Sequence, residues 1–335
     1  MFIDITKLPA KLNELNYFKK NIDKKGTTIY SYSLKNQITI VCELDELEIE
    51  NDFCIDSKTI DMIRLLSPIK EIVIDKDFTI KSKKGNYKTK LISSNLMLDF
   101  LNLKYEKTLN VNFEKLKNAS QFVAKDNKRP ILTGVNVTDL GDIIATNSFI
   151  SFRYVNKEMI HIPRERSITI PSSFIDFIAK LSDSETITIN FNRNNCMVQL
   201  DNVKYITNLL EGNYPSLDKI YATKIQYDEI VFDANDLKEK FFIAKEVGQD
   251  KNNEIIFFSL ENDKLVSKGV NDFEAILKPL KNEVDYKFTV SLEYLNIIIN
   301  NLKENTINVL YKQSDKPIFF LDNDNEFLIL PMRRD

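Results

Sequence analysis

At 335 residues the chain is longer than one hydrophobic core normally serves, so two or three domains are expected, and three of about 110 residues fit well. Its 46 basic and 49 acidic residues nearly cancel to a net charge of -3, which neither requires nor excludes a polyanionic partner. The sequence lacks a long uncharged apolar run, and Met1 to Leu12 lacks a signal-peptide pattern, so a cytoplasmic protein without a membrane span is expected.

In chain order, ITKLPAKLNELNYFKKNI from Ile5 predicts an opening helix, with Lys11, Lys19, Lys20, Lys24 and Lys25 crowding it and its exit. Alternating strands follow. FCIDSKTIDMIRLL from Phe53 reads as strand, polar turn and helix: Phe53 and Ile55 alternate with polar residues, Asp56 or Ser57 offers an N-cap oxygen, and Ile60, Ile63 and Leu66 recur at helical spacing. EIVIDKDFTIKSKKGNYKTKLI then predicts a strand meander turning at Lys83 to Asn86. VNFEKLKNASQFVAK from Val111 predicts the next helix, with Lys115, Lys117 and Lys125 in it; Lys128 and Arg129 follow, in the turn before an expected strand at Ile131.

ITIPSSFIDFIAKL from Ile168 repeats the strand, turn and helix, capped at Ser172 and burying Phe174, Ile178 and Leu181; its meander turns at Asn192 to Asn195. FDANDLKEKFFIAKEV from Phe232 predicts a helix bearing Lys238, Lys240 and Lys245. FTVSLEYLNIIINNL from Phe288, capped at Ser291, is the third strand–turn–helix copy, and its meander turns at Asp322 to Asn325. The copies recur at a separation of roughly 115 to 120 residues, the mark of an internal repeat. The reading is an α+β chain of three repeated domains, 1–107, 108–226 and 227–335, each of two helix-plus-antiparallel-strand halves. Such domains in a row leave a free sheet edge at each end, and head-to-tail association of two chains would close them into a ring. On the pattern alone, a string of unrelated α+β domains remains open.

No catalytic constellation is visible. His161 is the single histidine and has no nucleophile motif beside it; with seven glycines in the chain, phosphate-cradling loops are scarce. Cys42, Cys54 and Cys196 are too scattered for a disulfide framework or zinc site and read as buried thiols. Neither metal nor cofactor is expected. Acidic pairs such as Asp45 with Glu46, or Asp322 with Asp324, read as turns in strand meanders.

KRPILTGVNV from Lys128, IIATNSFISFRY from Ile143, EGNYPSLDKI from Glu211 and the terminal LPMRRD from Leu330 together resemble the bacterial DNA polymerase III beta family of sliding clamps. The resemblance covers the whole chain and is strongest from Lys128 to Ile220. It implies a DNA clamp fold closing as a head-to-tail homodimeric ring around double-stranded DNA, without enzymatic activity of its own. The implied partners are a DNA polymerase, an ATP-driven clamp loader and other proteins bearing a clamp-binding motif. It further implies DNA contact by Lys19, Lys20, Lys24, Lys25, Lys125, Lys128 and Arg129, although a lysine in such a stretch also reads as part of a solvated helix face and Arg129 as a packing or capping residue.

The resemblance also implies a partner-peptide groove of Leu132, Thr146, Ser148, Phe149, Ile150, Ser151, Ala222, Thr289, Leu292, Leu330, Pro331, Met332 and Arg333, lined by apolar side chains with Met as an adaptable wall. Thr89 and Leu91 are implied to meet Val247 of a second copy. Ile150, Ser151, Ala222 and Leu292 stand where the family usually has a basic, an apolar, a proline and an aromatic residue, which points to a different preferred peptide. The alternative function is a clamp-like paralogue that binds replication partners without being loaded on DNA.

Overall fold

Each of the three strand–turn–helix segments forms where its spacing predicts, but the buried face expected of the second is cut short: its helix ends at Ala179, so Phe174 and Ile178 are buried while Leu181, beyond the last turn, is 43% exposed. Strand Phe53–Asp56 leads into α1 (Ser57–Leu66), Ser167–Pro171 into α3 (Ser172–Ala179) and Lys287–Ser291 into α6 (Leu292–Asn301). The remaining helices are α2 (Phe113–Ser120), α4 (Asp218–Ala222) and α5 (Ala234–Gly248). The structure, a computed structural model, describes residues 13–22, 25–45, 47–66, 69–74, 77–93, 103–126, 128–156, 166–248, 257–261, 263–268 and 271–332.

The caps differ among the copies. Asp56 Oδ1 accepts the Thr59 backbone N–H at 2.7 Å and its hydroxyl at 2.6 Å, so Asp56 closes α1. Ser291 occupies the N-cap of α6 without a side-chain cap bond, and Ser172 is already the first residue of α3.

The chain forms two compact units, Met1–Val111 with Phe177–Leu209, and Asn112–Asp176 with Leu210–Asp335. The first contains an eight-stranded sheet in the order Phe53–Asp56, Leu15–Lys20, Thr27–Ser33, Ile38–Leu44, Val203–Asn208, Asn195–Leu200, Thr186–Phe191 and Lys107–Asn112. A second sheet pairs Ile69–Ile74, Asp77–Ser82 and Gly85–Lys90 antiparallel. The Phe18 ring stacks on Phe53 at 4.6 Å, Phe53 meets Phe78 at 5.5 Å, and Ile60 and Ile63 of α1 join this core.

The expected opening helix is overturned from Leu15 onward. Leu15–Lys20 is a strand, flanked by Thr27–Ser33 and Phe53–Asp56. Asn16, Tyr17 and Phe18 are all buried, so consecutive side chains are covered on opposite faces; an interior strand accepts this, whereas an amphipathic helix exposes one side.

In the second unit an eight-stranded sheet runs Ser167–Pro171, Gly134–Thr138, Ile143–Thr146, Ile150–Tyr154, Asn325–Ile329, Ile318–Asp322, Thr306–Tyr311 and Asp228–Asp233. Val135, Val137, Ile143, Ala145 and Phe152 are buried, and α2 lies across their strands with Phe113, Leu116 and Ala119 buried. A four-stranded sheet orders Phe273–Ile276, Lys264–Lys268, Phe257–Glu261 and Lys287–Ser291. Pro130–Thr133 is a 3-10 turn and the strand starts at Gly134, so the expected strand at Ile131 begins three residues later; Pro130 favours the turn start because its φ is fixed and it lacks an N–H.

Candidate functional site

The IIATNSFISFRY segment makes a hairpin whose tip is tied by its own side chains. Thr146 Oγ1 donates to the Ile150 carbonyl at 2.7 Å and accepts the Ser148 N–H at 3.0 Å. Asn147 Oδ1 accepts the N–H groups of Phe149 and Ile150, each at 2.9 Å. The tip holds Ser148 in the left-handed region at φ 81°, a conformation rare for non-glycine residues and supported here by these local bonds. The result is an aromatic projection. Phe149 is 54% exposed, and its ring stacks on Tyr294 of α6 at 5.6 Å with an interplanar angle of 16°.

The LPM segment extends the strand that pairs with this hairpin. Strand Asn325–Ile329 lies antiparallel to Ile150–Tyr154; the Leu330 N–H then donates to the Phe149 carbonyl at 2.9 Å, and the Met332 N–H to the Thr289 carbonyl at 2.8 Å. Leu330, Pro331 and Met332 are thereby placed between the hairpin tip and strand Lys287–Ser291, each half-buried. With Ser148, Phe149, Ala222 and Thr289 they offer the accessible part of the predicted groove. Leu132, Thr146, Ile150, Ser151 and Leu292, also expected in the groove, are buried. Arg333 lies outside the described residues.

Beneath this surface sits Tyr221, which sequence reasoning missed because no local pattern marks it. Its hydroxyl is 2.8 Å from Ser151 Oγ, and its ring lies 5.7 Å from Phe319 and packs with Leu310 and Leu328. The Arg153 guanidinium stands 4.8 Å above the same ring, itself near Glu326 at 3.7 Å and Asp218 at 3.9 Å; Lys224 also pairs with Glu326. Burial, the largest cause, drives the Tyr221 phenol well above its ordinary range, so it stays protonated. Tyr214, of the EGNYP segment, accepts the Thr146 N–H on its hydroxyl at 3.0 Å and lines a cavity of about 660 Å³ with Arg153, Arg166, Asp218 and Glu326.

The predicted nucleic-acid residues divide. Lys19 and Lys20 end a strand rather than occupy a helix; Lys20 and Lys25 are exposed, and Lys24 lies outside the described residues. Lys125 pairs with Glu293 at 3.1 Å on the surface. Lys128 and Arg129 are exposed, and neither side chain has an ion pair among the described residues.

The helix lysines fold back on the protein. Lys115 donates to Asn325 Oδ1 at 2.7 Å, Lys117 lies over the Phe113 ring, Lys238 donates to the Leu302 carbonyl at 3.0 Å, Lys240 pairs with Asp236 at 2.6 Å, and Lys245 donates to Asn296 Oδ1 at 3.3 Å. The outward positions of α5 include Glu239, Phe242, Ile243 and Glu246 instead. These lysines are half-buried and each has a partner within the protein, because a lysine's long stem reaches neighbouring groups that linear spacing does not reveal.

Thr89 lies on Gly85–Lys90, an edge strand, and Leu91 packs onto the core just beyond it; Val247 is near the end of α5. Cys42, Cys54 and Cys196 are buried free thiols. His161 lies outside the described residues. Among those residues, no helix is long and apolar enough to cross a membrane.

Residues 110–216 match the sequence model of the DNA polymerase III beta subunit, central domain. The beta sliding clamp of Streptococcus pneumoniae serotype 4 is 27% identical over 238 residues, covering 66% of this chain and 62% of that protein, less than two thirds of its length. The crystal structure of the DNA polymerase III beta chain from Streptococcus pneumoniae TIGR4 superposes with a TM-score of 0.74 at 18% identity, covering 96% of this chain and 92% of that one. The Helicobacter pylori beta clamp bound to DNA ligase peptide gives a TM-score of 0.75 at 16% identity, covering 97% and 93%. The fold of this chain is that of these clamps.

Proposed function

We propose that the chain is a divergent member of the DNA polymerase III beta subunit family of sliding clamps, that it encircles duplex DNA as a head-to-tail homodimer, and that it tethers other proteins there by a short peptide. In this reading the three repeats 1–107, 108–226 and 227–335 are its domains, with Thr89 and Leu91 of one copy meeting Val247 of the other. The protein works in the cytoplasm, catalyses no reaction, and relies on an ATP-driven loader to open the ring. A polymerase and other motif-bearing proteins exchange on the groove. Retention on DNA is topological, so individual phosphate contacts need only be weak.

The observation that carries this reading is the seating of the LPM segment by the Leu330–Phe149 and Met332–Thr289 backbone bonds. It fixes an apolar surface beside an exposed aromatic ring, the chemistry that a short apolar and aromatic peptide requires. Lys128 and Arg129, exposed and without ion pairs among the described residues, are the strongest candidates for touching phosphate. The test is retention: the protein is loaded with a compatible loader onto nicked circular DNA, the circle is cut, and bound protein is followed by gel filtration. Retention on circles with rapid loss from linear ends is expected. Equal, salt-sensitive loss from both, with loader activity confirmed, would refute encirclement and favour a clamp-like protein that holds partners off DNA.

A further inference from the structure

We propose that Tyr221 is a built-in plug that fills the apolar floor of the groove, so that a partner peptide docks shallowly over Phe149 and Leu330 to Met332 without inserting a deep anchor. The inference rests on the reading of this face as a peptide groove. Ser151, expected to line the groove, is 1% exposed on an interior strand, and the Tyr221 hydroxyl lies 2.8 Å from its own. The two residues are matched in size: a leucine at 151 would project into the space the phenol occupies, whereas serine leaves room and supplies a hydrogen-bond partner.

Tyr221 is also held by several other groups. The aromatic core lies on one side through Phe319, and Leu330, itself a groove residue, packs against the same cluster. The Arg153 guanidinium covers the ring, kept in place by Asp218 and Glu326. A partner side chain seeking that volume would have to expel a buried phenol and break its hydroxyl pair. What remains accessible is the half-exposed Phe149 ring, already stacked on Tyr294, and the half-buried LPM edge. The favoured occupant is therefore a peptide with an aromatic side chain that stacks on Phe149, the rest lying along the surface.

The test compares fluorescein-labelled Ser-Leu-Ala-Leu-Phe and Ser-Ser-Ala-Ser-Phe by anisotropy on the full chain and on Tyr221→Leu, Tyr221→Ala and Tyr221→Phe. A thermal transition establishes that each variant is folded. The wild type is expected to bind both peptides within about threefold of each other, because neither reaches a deep pocket. Tyr221→Leu or Tyr221→Ala is expected to tighten the leucine-bearing peptide by ~10-fold, on the order of one newly buried apolar side chain, without tightening the serine-bearing one. Tyr221→Phe, which keeps the ring, is expected to give the wild-type ratio. Strong wild-type preference for the leucine peptide, unchanged in the folded Leu and Ala variants, overturns the plug and leaves the groove reading intact. Failure of every form to bind either peptide overturns both.

Discussion

Replacing Phe327 with alanine tests the packing that seats the site. Phe327 lies on the strand that pairs with Ile150–Tyr154 and leads directly into the LPM segment. It is fully buried, with its ring 5.6 Å from Phe122 and 5.6 Å from Phe152, while those two rings are 5.7 Å apart. The substitution removes the transfer free energy of a whole aromatic side chain and leaves a void that two large rings cannot close without leaving their rotamers, a loss of about 3–5 kcal/mol. For a unit of this size each kcal/mol lowers the melting temperature by about 2–4 °C, so a fall on the order of 6–20 °C is expected. Urea and thermal unfolding followed by circular dichroism measure it. A loss below about 1 kcal/mol would show that the triad does not hold the strand, and the argument that packing positions Leu330 would fail with it.

Phe149→Ala is expected to behave oppositely: a half-exposed ring with one stacking partner contributes about 1 kcal/mol to stability at most, so the fold persists while peptide affinity drops, as anisotropy would report. Gly134→Ala should destabilise by about 1–3 kcal/mol in urea unfolding, since its Cβ would stand 2.6 Å from the Ile170 carbonyl oxygen and 2.6 Å from Leu210 Cδ1. Lys128→Ala with Arg129→Ala should weaken DNA binding and flatten its log–log salt dependence by about 2, one counterion per lost phosphate contact; an unchanged slope would remove both from the DNA surface. Burial pushes the Cys54 thiol from its ordinary 9.0 up to about 11 and raises Cys42 and Cys196 as well. The native state then keeps these protons while the unfolded chain releases them, so this contribution to stability is complete below pH 9 and is lost as the pH rises through about 11. Native protein at pH 8 should resist a thiol reagent until denatured, and rapid labelling of Cys54 would contradict the burial.

The repeat was legible because it is written in local chemistry. In FCIDSKTIDMIRLL, strand alternation changes to helical spacing within a few residues, and the other two copies do the same, so strand, turn and helix each follow from nearest neighbours. The clamp resemblance was legible in KRPILTG and LPMRRD, and Gly134 shows one physical reason: the neighbouring strand passes too close for a side chain.

Three features depended on distant residues and had no local signature. The stretch around Tyr17 and Phe18 suits either a helix or a strand, and Thr27–Ser33 and Phe53–Asp56, pairing on both sides, made it a strand. The helix lysines look like a basic face in sequence, yet Asn325, Leu302 and Asn296 supply acceptors that draw Lys115, Lys238 and Lys245 inward. Ser151 and Tyr221 are 70 residues apart, and their hydroxyl pair, which sets the depth of the groove, exists only once the sheet has brought α4 over strand Ile150–Tyr154. Sequence thus determined the local elements and their threefold recurrence through backbone preference and hydrophobic period. Tertiary structure decided which side chains remain available to a partner, because burial and hydrogen-bond satisfaction depend on groups that meet only in the folded chain.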